Sequence, residues 1–207
     1  MKNNKKAAYI FFEGETEDVF YKKIFDKYLQ GVPKKPKPKN LRTGCNINMQ
    51  IANNLYHFLK EKNNSDIELY VYAFIDREGP RSSKPQLDEK AIKKALIKDT
   101  NLTSKTINNI KIIKSIEAIK MVESWFFYDI EGICKYLKIQ CTNSIKSKYR
   151  NVEKFDSKDL SQLFKKSKKY YKKGEVGFLS LLDVDKIYNS CKDLKDAIDE
   201  IREVFLQ

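Results

Sequence analysis

Three apolar runs set the frame of the chain. "AAYIFF" at residues 7–12 and "IELYVYAFI" at 67–75 are continuous and rich in β-formers. Runs of that length and composition predict strands buried on both faces. "NIKIIKSI" at 109–116 is a third strand candidate. Between the runs the period changes to that of a helix. Val19, Phe20, Ile24, Phe25, Tyr28 and Leu29 mark one helix, and Ile47, Ile51, Leu55, Phe58 and Leu59 a second. A third is expected over 87–97. Residues 121–137 predict one helix burying Val122, Trp125, Phe126, Ile130, Ile133 and Leu137.

Strands alternating with helices predict an α/β fold, a mainly parallel sheet with helices on its faces. After Thr142 the composition turns to Lys, Ser and Asp, with helices expected over 157–173 and 192–206. One domain over 1–207 is expected, with its core at 7–137 and a helical C-terminal extension at 142–207.

In such a sheet, ligands bind beyond the carboxyl ends of the strands. Two predicted strands end there in acids: Glu13 after the first, Asp76 and Glu78 after the second. Asp76 and Glu78 alternate, so an extended backbone points both to one side. Glu17 follows Glu13 by four residues and can face the same place. Crowded carboxylates repel unless a cation neutralises them, and oxygen-only ligands select a hard divalent ion, Mg²⁺ or Mn²⁺. Glu15 and Asp18 read as helix-start acids favoured by the helix dipole, with Thr16 as the cap. Arg77 points opposite to its neighbours and reads either as the partner of an acid or as a phosphate contact.

Charge adds a second theme. Lys and Arg number 41 against 28 acids, a formal net charge of +13, which attracts polyanions such as nucleic acid. The richness in Lys, Asn and Ile also fits the codon usage of a low-GC genome, so charge alone does not decide. The loop "GVPKKPKPKNLR" at 31–42 reads either as a solvated connector or as a cationic flap over a phosphate backbone. Its Lys34, Lys35, Lys37, Lys39 and Arg42 are candidate nucleic-acid contacts. So are Lys168, Lys169 and Lys172 in "KKSKKYYKK" at 165–173, a run that also carries Tyr170 and Tyr171.

Some chemistries are excluded. The four cysteines form no CxxC pair, and the single histidine, His57, completes no Cys/His zinc pattern. Reduced thiols, no signal peptide and no stretch long enough to span a membrane predict a soluble cytoplasmic protein.

Three motifs carry a resemblance. "FFEGETEDVFY" resembles the first TOPRIM motif, a strand ending in Glu-Gly before a helix. "AFIDREG" resembles the second, Asp-x-Asp at a strand end, with Glu78 in place of the second Asp. "MVESWFF" resembles the Glu-x-Trp motif of small stand-alone TOPRIM proteins of the RloB and DUF4276 groups. Those are similar to the TOPRIM half of OLD-family nucleases. The likeness covers residues 7–137, with an echo at 168–188.

The resemblance implies metal-dependent phosphodiester chemistry on DNA or RNA, in a bacterial anti-phage effector controlled by an ATPase partner. It makes Glu13, Asp76 and Glu78 the metal site, with Glu17 as a helper ligand and Glu123 assisting a second metal. A late lysine would stabilise charge during phosphoryl transfer, here Lys172 or Lys173, with Lys173 taken as the candidate. Trp125 reads as core. The competing expectation is a catalytically weak or inactive module that binds nucleic acid or a partner. Primase-like nucleotidyl transfer would share the metal site, but no nucleotide-handling region is recognisable. Homo-oligomerisation is left open.

Overall fold

The computed structural model describes residues 5–33, 39–41, 46–61, 64, 66–77, 87–98 and 102–206. Four parallel strands form its sheet: β1 (Lys6–Phe12), β2 (Lys39–Asn40), β3 (Glu68–Asp76) and β4 (Ile110–Ala118), in the order β2-β1-β3-β4. β1 pairs with β3 from Lys6 opposite Glu68 to Phe12 opposite Phe74. β3 pairs with β4 up to Asp76 opposite Ala118, with one irregularity at Leu69/Tyr70. The expected mainly parallel sheet flanked by helices is what the chain forms. The two-residue β2 lies inside the Pro-Lys loop, pairing with Phe11 and Phe12.

Alternation along each strand divides the core in two. Ala7, Tyr9 and Phe11 of β1, with Leu69, Val71, Ala73 and Ile75 of β3, face one side. There they meet Ile51, Leu55 and Phe58 of α2 (Ile47–Lys60), Ile92 and Leu96 of α3 (Glu89–Ile97) and Ile107 of α4 (Ser104–Asn108). Ala8, Ile10 and Phe12, with Tyr72 and Phe74, face the larger core. Burial on both faces is why these strands are unbroken apolar runs.

The larger core is covered by α1 (Glu15–Tyr28), α5 (Val122–Phe126), α6 (Ile130–Leu137), α8 (Ser157–Lys166), α9 (Val176–Leu179), α10 (Val184–Ser190) and α11 (Lys192–Leu206). The short α7 (Asn143–Lys148) buries no residue fully. At the centre are Phe12, Tyr21, Phe25 and Phe74, with Phe74 4.6 Å from the Tyr21 ring and 5.1 Å from that of Phe25. Trp125 is buried edge-on to Tyr21, as core.

Three expectations change. The single helix over 121–137 is broken: a 3-10 turn (Phe127–Asp129) separates α5 from α6. Asp129 causes the break. Its carboxylate caps α6 by accepting from the Gly132 amide at 3.1 Å and also accepts from the Asp183 amide at 2.9 Å. Gly132 is required there, because a Cβ would lie 1.9 Å from an Asp129 oxygen. The helix over 157–173 ends at Lys166, since Lys168 takes a left-handed backbone with φ of 58°. The cap of α1 is Gly14 and not Thr16, which lies within the first turn.

Among the described residues no helix is long and apolar enough to cross a membrane. His57 is exposed on the flank of α2. Cys134, Cys141 and Cys191 are free thiols, and Cys45 lies outside the described residues.

Truncating Phe74 to Ala removes the ring that joins β3 to α1. We expect a loss of about 3–5 kcal/mol in urea unfolding. The control is Tyr170→Ala, a residue 84% exposed, with an expected change within about 0.5 kcal/mol.

Candidate carboxylate site

Parallel pairing brings the carboxyl ends of β1 and β3 side by side. Glu13 follows β1 directly, and its Oε2 accepts from the Asp76 backbone amide at 2.8 Å. Asp76, the last residue of β3, turns its Oδ1 to the amide of Val122, the first residue of α5, at 2.8 Å. An aspartate held on a helix-start amide is favoured by that helix end. The two strand-end carboxylates are thus held by backbone donors from neighbouring elements.

Glu17 enters from the first turn of α1 and is buried. Gly14 makes room for it, since a Cβ there would stand 2.9 Å from Glu17 Oε2. Glu123 enters from the first turn of α5 and is 1% exposed. Its Oε1 accepts from the Tyr171 hydroxyl at 3.0 Å. Glu15 and Asp18 are exposed in the first turn of α1, as helix-start acids.

Four acids from three stretches of sequence therefore act on one another. Burial, then the charges of Glu17, Glu123 and Glu13, push Asp76 up to about 9. Burial, with the Glu123 and Glu13 charges, pushes Glu17 up to about 7, against a lowering pull from Lys173. At neutral pH Asp76 carries a proton when nothing else neutralises the cluster.

The third wall of the site comes from residues 167–175, a non-helical strap between α8 and α9. Tyr171 packs edge-on against Phe164 and Phe178, with its hydroxyl on Glu123 and the Thr16 hydroxyl beside it. Burial, then the Glu123 charge, holds that phenol well above its usual range, so it remains a donor. The Gly174 amide donates to Thr16 Oγ1 at 3.0 Å, and Gly174 has a φ of 69°, a conformation suited to glycine. This latch explains how Lys173, one residue earlier, comes within electrostatic reach of Glu17.

The structure thus brings together Glu13, Glu17, Asp76, Glu123 and Lys173 of the expected site residues. Glu78, Lys34, Lys35, Lys37 and Arg42 lie outside the described residues. Lys39 is exposed on β2, remote in sequence from the strap, where Lys168 and Lys172 are exposed. Lys169 departs from the picture of an open basic strip. Its ammonium donates to the Tyr136 carbonyl at 2.9 Å and lies 4.0 Å from the centre of that ring. Arg77 pairs with Glu117 at 2.5 Å, which selects the acid-partner reading over the phosphate one.

Tyr171 and Thr16 were missed as site residues. Tyr171 sits in a run that reads as helix and cation, and Thr16 reads as a cap. The only sequence signal was Gly174, a turn residue closing the run.

The donor chemistry, carboxylate oxygen without sulfur or imidazole, suits a hard divalent cation. Among the described residues, however, no three Asp, Glu, His or Cys side chains are arranged as a ready metal cage.

A family model described as "Domain of unknown function (DUF4276)" matches residues 12–202. Among solved structures the chain is similar to the C-terminal region of the Burkholderia pseudomallei OLD protein. Identity is 14%, over 92% of this chain and 98% of that one, with a TM-score of 0.40, too shallow to carry residue correspondences. No curated protein matches the sequence.

The raised carboxylates have a pH signature. The folded protein holds a proton on Asp76 that the unfolded chain releases, so this contribution is complete at acid pH and is lost as pH rises through about 9. In a chelator, the thermal midpoint of the wild type should fall from about pH 6 to about pH 9. Asp76→Asn keeps an oxygen for the Val122 amide and cannot ionise, so its midpoint should fall less. Parallel melting curves of the two proteins check this.

Proposed function

The chain belongs to the DUF4276 family, and on that footing we propose that it is a divalent-metal-dependent nuclease of the TOPRIM kind, hydrolysing phosphodiester bonds in DNA or RNA. The observation that carries the proposal is the convergence of Glu13, Glu17, Asp76 and Glu123 beyond the ends of two parallel strands. Their repulsion and burial hold protons on Asp76 and, in part, on Glu17. A cluster of this kind costs stability unless a cation relieves it, which supports a binding role over a structural one.

Glu13, Asp76, Glu17 and Glu123 would hold Mg²⁺ or Mn²⁺, with Glu78 next along the chain. When bound, the ion would polarise the phosphoryl group and lower the pKa of an attacking water. The protein supplies the rest. The Asp76 and Val122 amides fix two of the carboxylates before any substrate arrives. Lys173 contributes a positive charge at the edge of the acid cluster, where it can oppose negative charge building on a phosphoryl group. Exposed lysines such as Lys39, Lys168 and Lys172 add to a field that attracts the nucleic-acid backbone.

On its TOPRIM resemblance the protein would act as a toxic anti-phage effector in the cytoplasm, held in check by an ATPase partner. One observation favours a second reading. The described acids form no ready metal cage, and Glu78 stands where the motif has Asp, as expected of a site that binds nucleic acid or a partner but cuts poorly.

The two readings separate on plasmid DNA and tRNA with Mn²⁺. The nuclease reading expects cleavage by the wild type, lost by about 10²-fold or more in Glu13→Gln and in Asp76→Asn, with both variants folded by circular dichroism. Lys173→Ala should lower the maximal rate more than it weakens substrate binding. Equal cutting by wild type and both acid variants, with any partner supplied, would sink the nuclease reading. An absence of specific Mn²⁺ heat in calorimetry would favour the binding module.

A further inference from the structure

Glu123 is 1% exposed and would be costly to bury as an anion without a donor. The donor comes from a distant part of the chain, 48 residues away: the Tyr171 hydroxyl, 3.0 Å from Glu123 Oε1. Tyr171 itself has little freedom. Its ring is 5.4 Å from that of Phe164, in the last turn of α8, and 6.1 Å from that of Phe178 in α9, both edge-on. Both phenylalanines are fully buried.

The strap that carries Tyr171 is fixed at either side. On one side the Lys169 ammonium is bound to the Tyr136 carbonyl at 2.9 Å. On the other the Gly174 amide is bound to Thr16 Oγ1 at 3.0 Å, in the same turn of α1 that bears Glu17. The neighbouring tyrosine on the same strap, Tyr170, is 84% exposed. Two adjacent tyrosines thus have opposite environments, and only one touches an acid of the site.

We propose that Tyr171 is a positioning residue of the carboxylate site, its hydroxyl fixing how the Glu123 carboxylate is turned toward the cation position. The inference rests on the metal-site reading above. A carboxylate ligand whose orientation is set by a hydrogen bond binds its ion more tightly than one left to rotate, and loss of such an outer partner costs about 10–100-fold in metal affinity or activity. Phenylalanine at 171 keeps the ring contacts with Phe164 and Phe178 and removes only the hydroxyl.

The test is Mn²⁺ binding by calorimetry on the full chain, with no nucleic acid present, for four proteins: wild type, Tyr171→Phe, Glu123→Gln and the double variant. Tyr170→Phe serves as the surface control. Tyr171→Phe should bind Mn²⁺ about 10-fold or more weakly, Tyr170→Phe as the wild type does, and the double variant no more weakly than Glu123→Gln alone. Thermal melts of the metal-free proteins identify any variant that fails to fold. In that case Tyr171→His, which keeps a ring and a donor, should recover part of the affinity.

A weakened Glu123→Gln beside an unchanged Tyr171→Phe overturns the positioning role and leaves the metal site standing. Additive losses in the double variant also overturn it, because the hydroxyl would then act elsewhere. A wild type that binds no Mn²⁺, or a Glu123→Gln that binds as tightly as the wild type, removes the metal-site reading itself and the positioning role with it.

Discussion

Side-by-side parallel pairing of β1 and β3 is the constraint on which the site depends. In parallel strands both carboxyl ends lie at one edge, so Glu13 and Asp76 meet there although 63 residues separate them. The register is held by large side chains on both faces, since a slip by one residue would exchange the two cores. Phe12 opposite Phe74 is the last paired rung of β1 before Glu13, and the aromatic cluster around Phe74 secures it. The precision of the acidic edge is thus inherited from hydrophobic packing one rung below.

At that edge two tendencies oppose each other. Burial and mutual repulsion favour the neutral acids, whereas the Val122 amide on Asp76 and, for Glu17, a backbone hydrogen bond and Lys173 favour the charged ones. For Asp76 burial wins. Glu17 stands close to the balance point at neutral pH. A site in this condition responds strongly to any positive charge brought near it, and cation binding must release protons. The chain's overall net charge of +13 is compatible with such an acid cluster because its acids are few and partly protonated.

The sheet was legible in the sequence because doubly buried strands leave an unmistakable trace, as in Ala7 to Phe12 and Leu69 to Ile75. The acids at their ends were legible for the same reason, since polar residues stand out where an apolar run stops. Helix ends were harder. Asp129 stops one helix and starts another through a cap that overlaps an uninterrupted apolar period, and only Gly132 hints at it. Lys168 takes its left-handed turn in a lysine-rich run whose composition favours a helix. The partnership of Tyr171 with Glu123 has no sequence signature, because contacts between distant segments depend on the fold. The Thr16 hydroxyl was visible as a capping group and is used instead to receive the Gly174 amide.

The position of the strap in the chain has a bearing on synthesis. Chains emerge and begin to fold from the N-terminus, at about 5–20 residues per second. Glu13, Glu17, Asp76 and Glu123 all leave the ribosome before Tyr171, Lys173 and Gly174 do. A nascent chain therefore carries its full set of acids while the lysine, the phenol and the latch on Thr16 are still missing. Completion of the site waits on translation of residues 171–174, which leaves an interval in which the acids are present without the groups that hold them.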